Sequence, residues 1–499
     1  MKRYVLALDQ GTTSSRSVLF DLCGNIIAMS QEETTQYFPH EGWVEQDAEE
    51  IWQKQLRTAR TVIRKAKIRP DEISAIGITN QRETVVVWDK KTGVPICHAV
   101  VWQCRRTAEE CDRLKADPEN EKMIREKTGL LIDPYFSATK LRYILDTVPN
   151  ARTRAERGEL LFGTIDSWLI YRLTGGRSHA TDYSNAARTL LFNIKECKWD
   201  DSLLAFFDIP KAILPRALPS AGFFGDSDEG LFGVKIPITG VAGDQQAALF
   251  GQCCFSKGDV KNTYGTGGFL LMNTGDEPIL SKNGLLTTIA WGIGDKVSYV
   301  LEGSVFVSGA GVQWLRDGLE LFRNSSETET IARSVSDNGG VYLVPALTGL
   351  GAPYWDPYAR GTITGLTRGT TRAHIVRAML EAMAYQTADV LKLMERDAGV
   401  SLSSLKVDGG ASANNFLLEF QADILNAEVL RPCCIETTAL GAANLAALGA
   451  GCFSSLEELQ EKQQLDRTFT PNMTEEARAT LLRRWHKAVD RSLDWVEHT

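Results

Sequence analysis

The sequence predicts an α/β protein of two related domains, each a mixed β-sheet flanked by helices, facing one another across a cleft. Three observations carry that prediction. The chain opens in the order β-β-β-α-β, the start of a mixed sheet with helices on its faces. Its opening design of apolar strand, glycine turn and polar tip returns at residues 238–248 and again at 260–272. Its 499 residues also exceed what a single hydrophobic core organises. The likeness between the halves is architectural, with no fixed-period repeat. The boundary falls near residue 250, dividing the chain into 1–250 and 251–499.

Tyr4–Leu8 is an apolar run of strand length that ends on Asp9. It breaks at Gly11 into Thr12, Thr13, Ser14, Ser15 and Arg16, then continues as strands over Ser17–Phe20 and Ile26–Met29. A carboxylate, a glycine turn, four hydroxyls and an arginine suit a metal-bound polyphosphate, because backbone N–H groups approach most closely where no Cβ intervenes. An ordinary hairpin with a solvated turn fits the same residues. Asp47 caps a helix with an apolar face of Ile51, Trp52, Leu56, Val62 and Ile63. The strand Ile73–Thr79 then runs into Asn80-Gln81-Arg82-Glu83. Arg82 and Glu83 offer donors and acceptors at a sheet end, a pair suited to adjacent polyol hydroxyls. The alternative is a surface charge pair. Trp102 and Tyr135 supply either core aromatics or the apolar wall of a polyol site.

Residues 222–234, with four glycines and three acids, read as a mobile loop. The strand Ile238–Val241 leads into Gly243-Asp244-Gln245 and a helix, and Val260–Met272 forms a strand, glycine turn and strand. A helix is expected over Ser304–Leu321, another over 374–396, and an Ala-rich one over 439–449. Asp408-Gly409-Gly410 forms a second anion-facing turn at a helix N-terminus. The stretch 474–497 reads as a surface-packed helix.

Composition narrows the function classes. With 55 basic against 63 acidic residues, net −8, and no long basic run, nucleic acid is not an expected partner. No apolar run approaches a membrane span and no signal-peptide core precedes Asp9, so a cytoplasmic location is expected. The ten cysteines include no C-x-x-C and the six histidines no H-E-x-x-H, which points to buried free thiols rather than a metal site. No G-x-x-x-x-G-K-[ST] is present, so the chain is not a P-loop kinase.

DQGTTSSR resembles the first phosphate hairpin of the actin, sugar-kinase and chaperone superfamily. Four elements in one order, DQGTTSSR, AGDQQAA, NTYGTGG and VDGGASANN, resemble the FGGY carbohydrate kinases over nearly the whole chain. GTITGLTRGTTRAHIVRAMLE and YFSATKLRYILD are similar to that family's two signatures, with Tyr143 where a tryptophan is usual. ITNQRE, VVWQCRR, IDPYFS, AGDQQAALFGQ and TGLGAPYWDPYARG are similar to its glycerol-phosphorylating branch.

The resemblance implies two actin-like (ribonuclease H-like) domains with the active site in the cleft between them. It implies ATP and Mg²⁺ as cofactors, glycerol as substrate, and a homodimer or homotetramer. Asp244 is then the base, and Arg82, Glu83 and Gln245 hold the glycerol hydroxyls. Tyr135 adds a contact, and Trp102 and Phe269 pack on the carbons. Asp9 organises Mg²⁺ through water. Thr12, Thr13, Ser14, Arg16, Thr266 and Gly267 cradle the phosphates, and Gly309, Gln313, Gly410, Ala411 and Asn414 line the nucleotide pocket. Relatives inhibited by fructose 1,6-bisphosphate carry a Gly-Arg-type loop. The corresponding Gly230–Lys235 has a lysine in place of the arginine fork, so that inhibition is not carried across. Two other readings stand within this superfamily: a kinase of the same family acting on another small polyol or ketose, separated only by the Arg82, Glu83, Trp102 and Phe269 pocket, and a nucleotide-switched binding protein, which needs neither Asp244 nor a polyol-binding pair.

Overall fold

The computed structural model describes residues 3–497. Thirteen strands form one sheet: β1 (Tyr4–Gln10), β2 (Ser14–Asp21), β3 (Ile26–Glu33), β4 (Ile73–Asn80), β5 (Ala221–Asp226), β6 (Pro237–Gly243), β7 (Val260–Tyr264), β8 (Gly268–Gly275), β9 (Leu286–Ile293), β10 (Lys296–Val305), β11 (Ser404–Asp408), β12 (Glu428–Pro432) and β13 (Leu465–Phe469). The sheet contains the same pattern twice. In the first half, β3-β2-β1 is an antiparallel meander, β4 and β6 add in parallel, and β5 closes the edge antiparallel. In the second half, β10-β8-β7, then β11 and β12, then β13, repeat those directions in that order. The additional strand β9 pairs with β10 and meets β5 at the single pair Ala221–Ile293. That pair joins the two expected sheets into one.

The flanking helices follow from their faces. α1 (Ala48–Ala66) starts where the Asp47 carboxylate accepts from Glu49 N at 2.8 Å, and it buries Ile51, Trp52, Leu56, Val62 and Ile63. Further helices used below are α2 (Ser137–Thr147), α3 (Asp244–Gly251), α4 (Gly309–Asp317), α5 (Arg372–Ala398), α6 (Asn415–Leu425), α7 (Thr437–Gly449) and α8 (Glu475–Val489).

α7 comes from the C-terminal part of the chain yet lies on the first-half strands. A Cβ at Gly77 of β4 would stand 2.2 Å from the Ala442 carbonyl oxygen, so only hydrogen fits there. α3 crosses α7 at equally short range, where a Cβ on Gly441 would fall 1.8 Å from the Ala247 carbonyl oxygen. The two halves therefore share a core at the helix that begins with Asp244.

Four expectations are corrected. The stretch read as a helix from Ser304 is strand to Val305, paired with β8, and the helix covers only Gly309–Asp317. Its start is fixed from outside: Ser308 N and Gly309 N donate to the Thr266 and Gly265 carbonyls at 2.9 and 3.0 Å. The glycine-rich 222–234 region is strand β5, at the join of the two halves of the sheet, followed by a helical turn at Glu229–Phe232. Asp228 caps that turn and pairs with Arg177 at 2.9 Å. The C-terminal helix stops at Val489 instead of running to 497; it is otherwise the surface-packed helix expected, with Trp485, Ala488 and Val489 buried and most of its remaining residues exposed. All ten cysteines are free as expected, but only Cys104, Cys111, Cys253 and Cys254 are buried. Among the described residues, no helix is long and apolar enough to cross a membrane.

Candidate active site

The C-terminal ends of β1, β4 and β6 lie side by side. Asp9 pairs in register with Thr79, Gln10 and Gly243 with Asn80, and Ala242 with Thr79. Asp9, the Arg82–Glu83 turn and Asp244 therefore leave one sheet edge together, at the end where open α/β sheets bind ligands. In the second half, Thr263 pairs with Asp408, and a Cβ on Gly409 would meet the Tyr264 carbonyl oxygen at 2.5 Å. The 264–267 and 409–411 turns are thus stacked.

Arg82 and Glu83 are only 3% and 1% exposed, which overturns the surface-pair reading. The Arg82 guanidinium donates from Nη1 and Nη2 to the two Glu302 oxygens at 2.6 and 3.0 Å, and its Nε lies 3.2 Å from Asp244 Oδ1. Arg188 Nε donates to Glu83 Oε1 at 2.6 Å and its Nη2 to Glu302 Oε1 at 3.1 Å. Glu83 holds a left-handed backbone conformation, φ +62°, with its carbonyl accepting from Ser137 Oγ at the start of α2. That strain at a buried charged turn is the kind retained where a site is preorganised.

Glu302 and Arg188 are essential parts of this cluster that the sequence reading missed. Glu302 sits in β10, so the fork on Arg82 ties the first half of the sheet to the second. The available signal was a lone carboxylate inside the apolar run Tyr299–Val305. Arg188 had no local signal.

Electrostatics separate the carboxylates. Burial would raise Glu302, but Arg188 and Arg82 outweigh it and hold its carboxyl at about 2. Burial raises Asp244 against the opposing pull of Arg82 and the Gln245 N–H. Its side chain is 32% exposed, so this carboxylate of raised basicity is reachable from solvent. Burial pushes Asp9 up to about 6, Arg16 opposes, and the nearby negative charges of Glu436 and Asp244 add to the rise.

The opening hairpin is tied to the aromatic wall. Trp102 Nε1 donates to Thr12 Oγ1 at 2.9 Å, and Trp102 N donates to Thr84 Oγ1. Gln46 donates to the Thr12 carbonyl at 2.6 Å, and Gln81 donates to Gln46 and Gln10. Tyr135 stands edge-on to Trp102 with centroids 5.4 Å apart. Lys140, fully buried on α2, donates to the carbonyls of Pro134, Tyr135 and Phe136 and so fixes the Tyr135 loop. Arg16 bonds Glu436 and lies 3.8 Å from Asp9. Ser14 is buried, with Gly11 N donating to its carbonyl, whereas Thr13 is exposed.

On the second side, Thr266 is exposed while Gly267 is buried against β10, where a Cβ would meet the Val305 carbonyl at 2.5 Å. Gly309 abuts Gly265, and Gln313 is exposed one turn further along α4. Gly410 faces open space, and Ala411 follows it half-buried. Asn414 caps α6 by accepting from Leu417 N at 3.0 Å and donates to Thr328. Phe269, half-buried on β8, lies opposite Thr263 and Ser304.

Two family models match the chain: the N-terminal domain of the FGGY family of carbohydrate kinases over residues 4–251 and its C-terminal domain over 260–450. The chain is 60% identical to a glycerol kinase of Caldanaerobacter subterraneus subsp. tengcongensis over 497 residues, covering 100% of each. It is 59% identical to glycerol kinase 2 of Thermotoga maritima, covering 99% of each. Among solved structures, the glycerol kinase of Plasmodium falciparum with ADP superposes with a TM-score of 0.93 at 36% identity, over 99% of both chains. A xylulose kinase of Lactobacillus acidophilus shares the fold, with a TM-score of 0.87 at 22% identity over 98% of this chain and 97% of that one. Both domain models matched in order and relatives 59–60% identical over the full length lead to one conclusion: the chain belongs to the FGGY family of carbohydrate kinases.

Proposed function

We propose that the protein transfers the γ-phosphoryl group of ATP to a terminal hydroxyl of glycerol, forming sn-glycerol 3-phosphate, the entry step of glycerol catabolism. The observation that carries this reading is the half-exposed Asp244 carboxylate, held by Arg82 at one sheet edge with Asp9. The full-length likeness to glycerol kinases supports the choice of substrate.

Asp244 takes the proton of the attacking hydroxyl, a role its burial-raised basicity suits. The hydroxyl oxygen then attacks phosphorus in line with the departing ADP oxygen. Arg82, Glu83 and Gln245 bind the polyol hydroxyls, Tyr135 adds a contact, and Trp102 and Phe269 wall its carbons. Thr12, Thr13, Ser14, Arg16, Thr266 and Gly267 receive the phosphates, and Gly309, Gln313, Gly410, Ala411 and Asn414 the nucleoside.

The residues fit Mg²⁺, since the charges of Glu436 and Asp244 add to the rise in the Asp9 carboxyl and a divalent cation relieves that repulsion. Among the described residues, no group of three His, Cys, Asp or Glu side chains is placed to hold a metal ion. Asp9 would hold the ion through water, and the ion would supply charge neutralisation at the phosphates. A division into domains near residue 250 is supported by the repeated strand order and by the 4–251 and 260–450 matches.

The test is ADP formation from MgATP with glycerol, dihydroxyacetone, xylulose, ribulose and gluconate offered separately. Turnover with glycerol supports the reading. Turnover with a pentulose alone keeps the chemistry and overturns the substrate. ATP hydrolysis indifferent to every polyol favours a nucleotide switch.

A further inference from the structure

Lys261 has no role in the account so far. It lies on β7 just ahead of the 264–267 turn and is fully buried. Its ammonium donates to Gln245 Oε1 at 2.5 Å, to Thr263 Oγ1 at 2.8 Å and to the Phe269 carbonyl at 3.2 Å. Three donors meet three acceptors, one from the helix of Asp244, one from the phosphate turn and one from the hydrophobic wall. Asp408, Asp244, Arg82 and Glu302 are the charged groups around it. Burial lowers its ammonium to about 8, with Asp408 and Asp244 opposing, so it is still charged at neutral pH.

The consequence lies in the Gln245 amide. An ammonium only donates, so the group facing Lys261 must be the amide oxygen, and the NH₂ points the other way. That Nε2 makes no hydrogen bond to any described residue, while Gln245 N donates to the Asp244 carboxylate at 2.7 Å. A hydroxyl bound at Nε2 must therefore accept there. Its own proton is left to donate, and the adjacent Asp244 carboxylate is an acceptor.

We propose that Lys261 is a positioning residue that fixes the Gln245 amide as a donor toward the polyol, so that the bound hydroxyl presents its proton to Asp244. The role rests on the proposed polyol phosphorylation. It is carried by one buried ammonium from the second half of the chain acting on the first. Without it, the amide is free to flip, and in half of its orientations Gln245 competes with Asp244 for the proton.

The test is a double-mutant cycle on the full-length protein, with Lys261→Met, Gln245→Ala, the double variant and Lys261→Arg. Wild-type turnover with glycerol is measured first, because its absence sinks the reading of the site itself. Lys261→Met is expected to lower kcat/KM for glycerol about tenfold to a hundredfold and to leave the KM for ATP unchanged. In the Gln245→Ala background the same change should have little further effect, and Lys261→Arg should recover most of the loss. Independent, multiplying losses in the cycle, or a loss expressed only in the ATP KM, would overturn the proposal. Should Lys261→Met fail to fold, Gln245→Glu decides. It keeps an acceptor toward Lys261 but removes the donor, so it should be as impaired for glycerol as Gln245→Ala. Wild-type kinetics in Gln245→Glu would contradict the proposal.

Discussion

Gly441→Ala tests whether the crossing of α3 and α7 holds Asp244, the proposed base, in place. The new methyl carbon would sit 1.8 Å from the Ala247 carbonyl oxygen, 2.6 Å from its carbon and 2.9 Å from Gly251 N. All three are backbone atoms of the facing helix, so no rotamer relieves the clash. Ordinary contact requires the helices to part by about 1.5–2 Å. The helical preference of alanine over glycine returns about 1 kcal/mol, while overpacking of a close-packed core costs about 1–3 kcal/mol or more. With all three clashing atoms in backbone, the cost falls at or above the upper end of that range, and the net is a destabilisation of about 2 kcal/mol or more, read as a lower melting temperature. The functional effect should exceed the stability effect. α3 begins at Asp244, and a shift of about 1 Å at a reacting group costs on the order of a hundredfold in rate. Thermal melting by circular dichroism and glycerol-dependent ADP release, measured on the same preparation, check both parts. A raised melting temperature with unchanged kcat would refute the reasoning, because the helix would then have gained propensity at no cost in placement.

Two further predictions concern other parts of the fold. Gly267→Ala places a Cβ 2.5 Å from the Val305 carbonyl and should raise the KM for ATP with glycerol affinity, measured by calorimetry, nearly unchanged. His486 Nε2 hydrogen-bonds the Asp389 carboxylate at 2.8 Å, which together with the charge of Asp389 raises its pKa despite partial burial. The proton is therefore bound more tightly in the folded state. This stability is fully present below the unfolded value near 6.5 and is lost as pH rises through the higher folded value. Denaturation series at pH 6 and above should show that decline, and His486→Asn should flatten it.

What was legible in the sequence was whatever recurs locally. Asp9 and Asp408 each close an apolar strand ahead of a glycine turn, Asp244 follows the glycine that ends one, and a strand end followed by a turn has a short-range signature. The repeated strand order followed from that spacing. What was illegible depends on partners distant in the chain. Glu302 reads as an oddity in a strand until Arg82 and Arg188, 220 and 114 residues away, are placed against it. Gly77 and Gly441 look like any other glycines until α7 is laid across the first-half strands. The small residues after Ser304 did announce a close approach, but the approaching groups include the Gly265 carbonyl and Met379. For that reason the expected helix began too early. Composition misled at 222–234, where glycine and acids serve the strand that joins the two halves of the sheet and a capped turn.

The central claim is that Asp244 removes the proton from a glycerol hydroxyl as phosphorus is transferred. The direct measurement is kcat for glycerol-dependent ADP formation in Asp244→Asn, with glycerol affinity and melting temperature determined alongside. Asparagine keeps the shape and can still accept from Gln245 N, but it cannot take the proton. The account predicts a kcat lower by about 10²–10⁴, with the fold intact and glycerol still bound. An Asp244→Asn variant that turns glycerol over at the wild-type rate would contradict it.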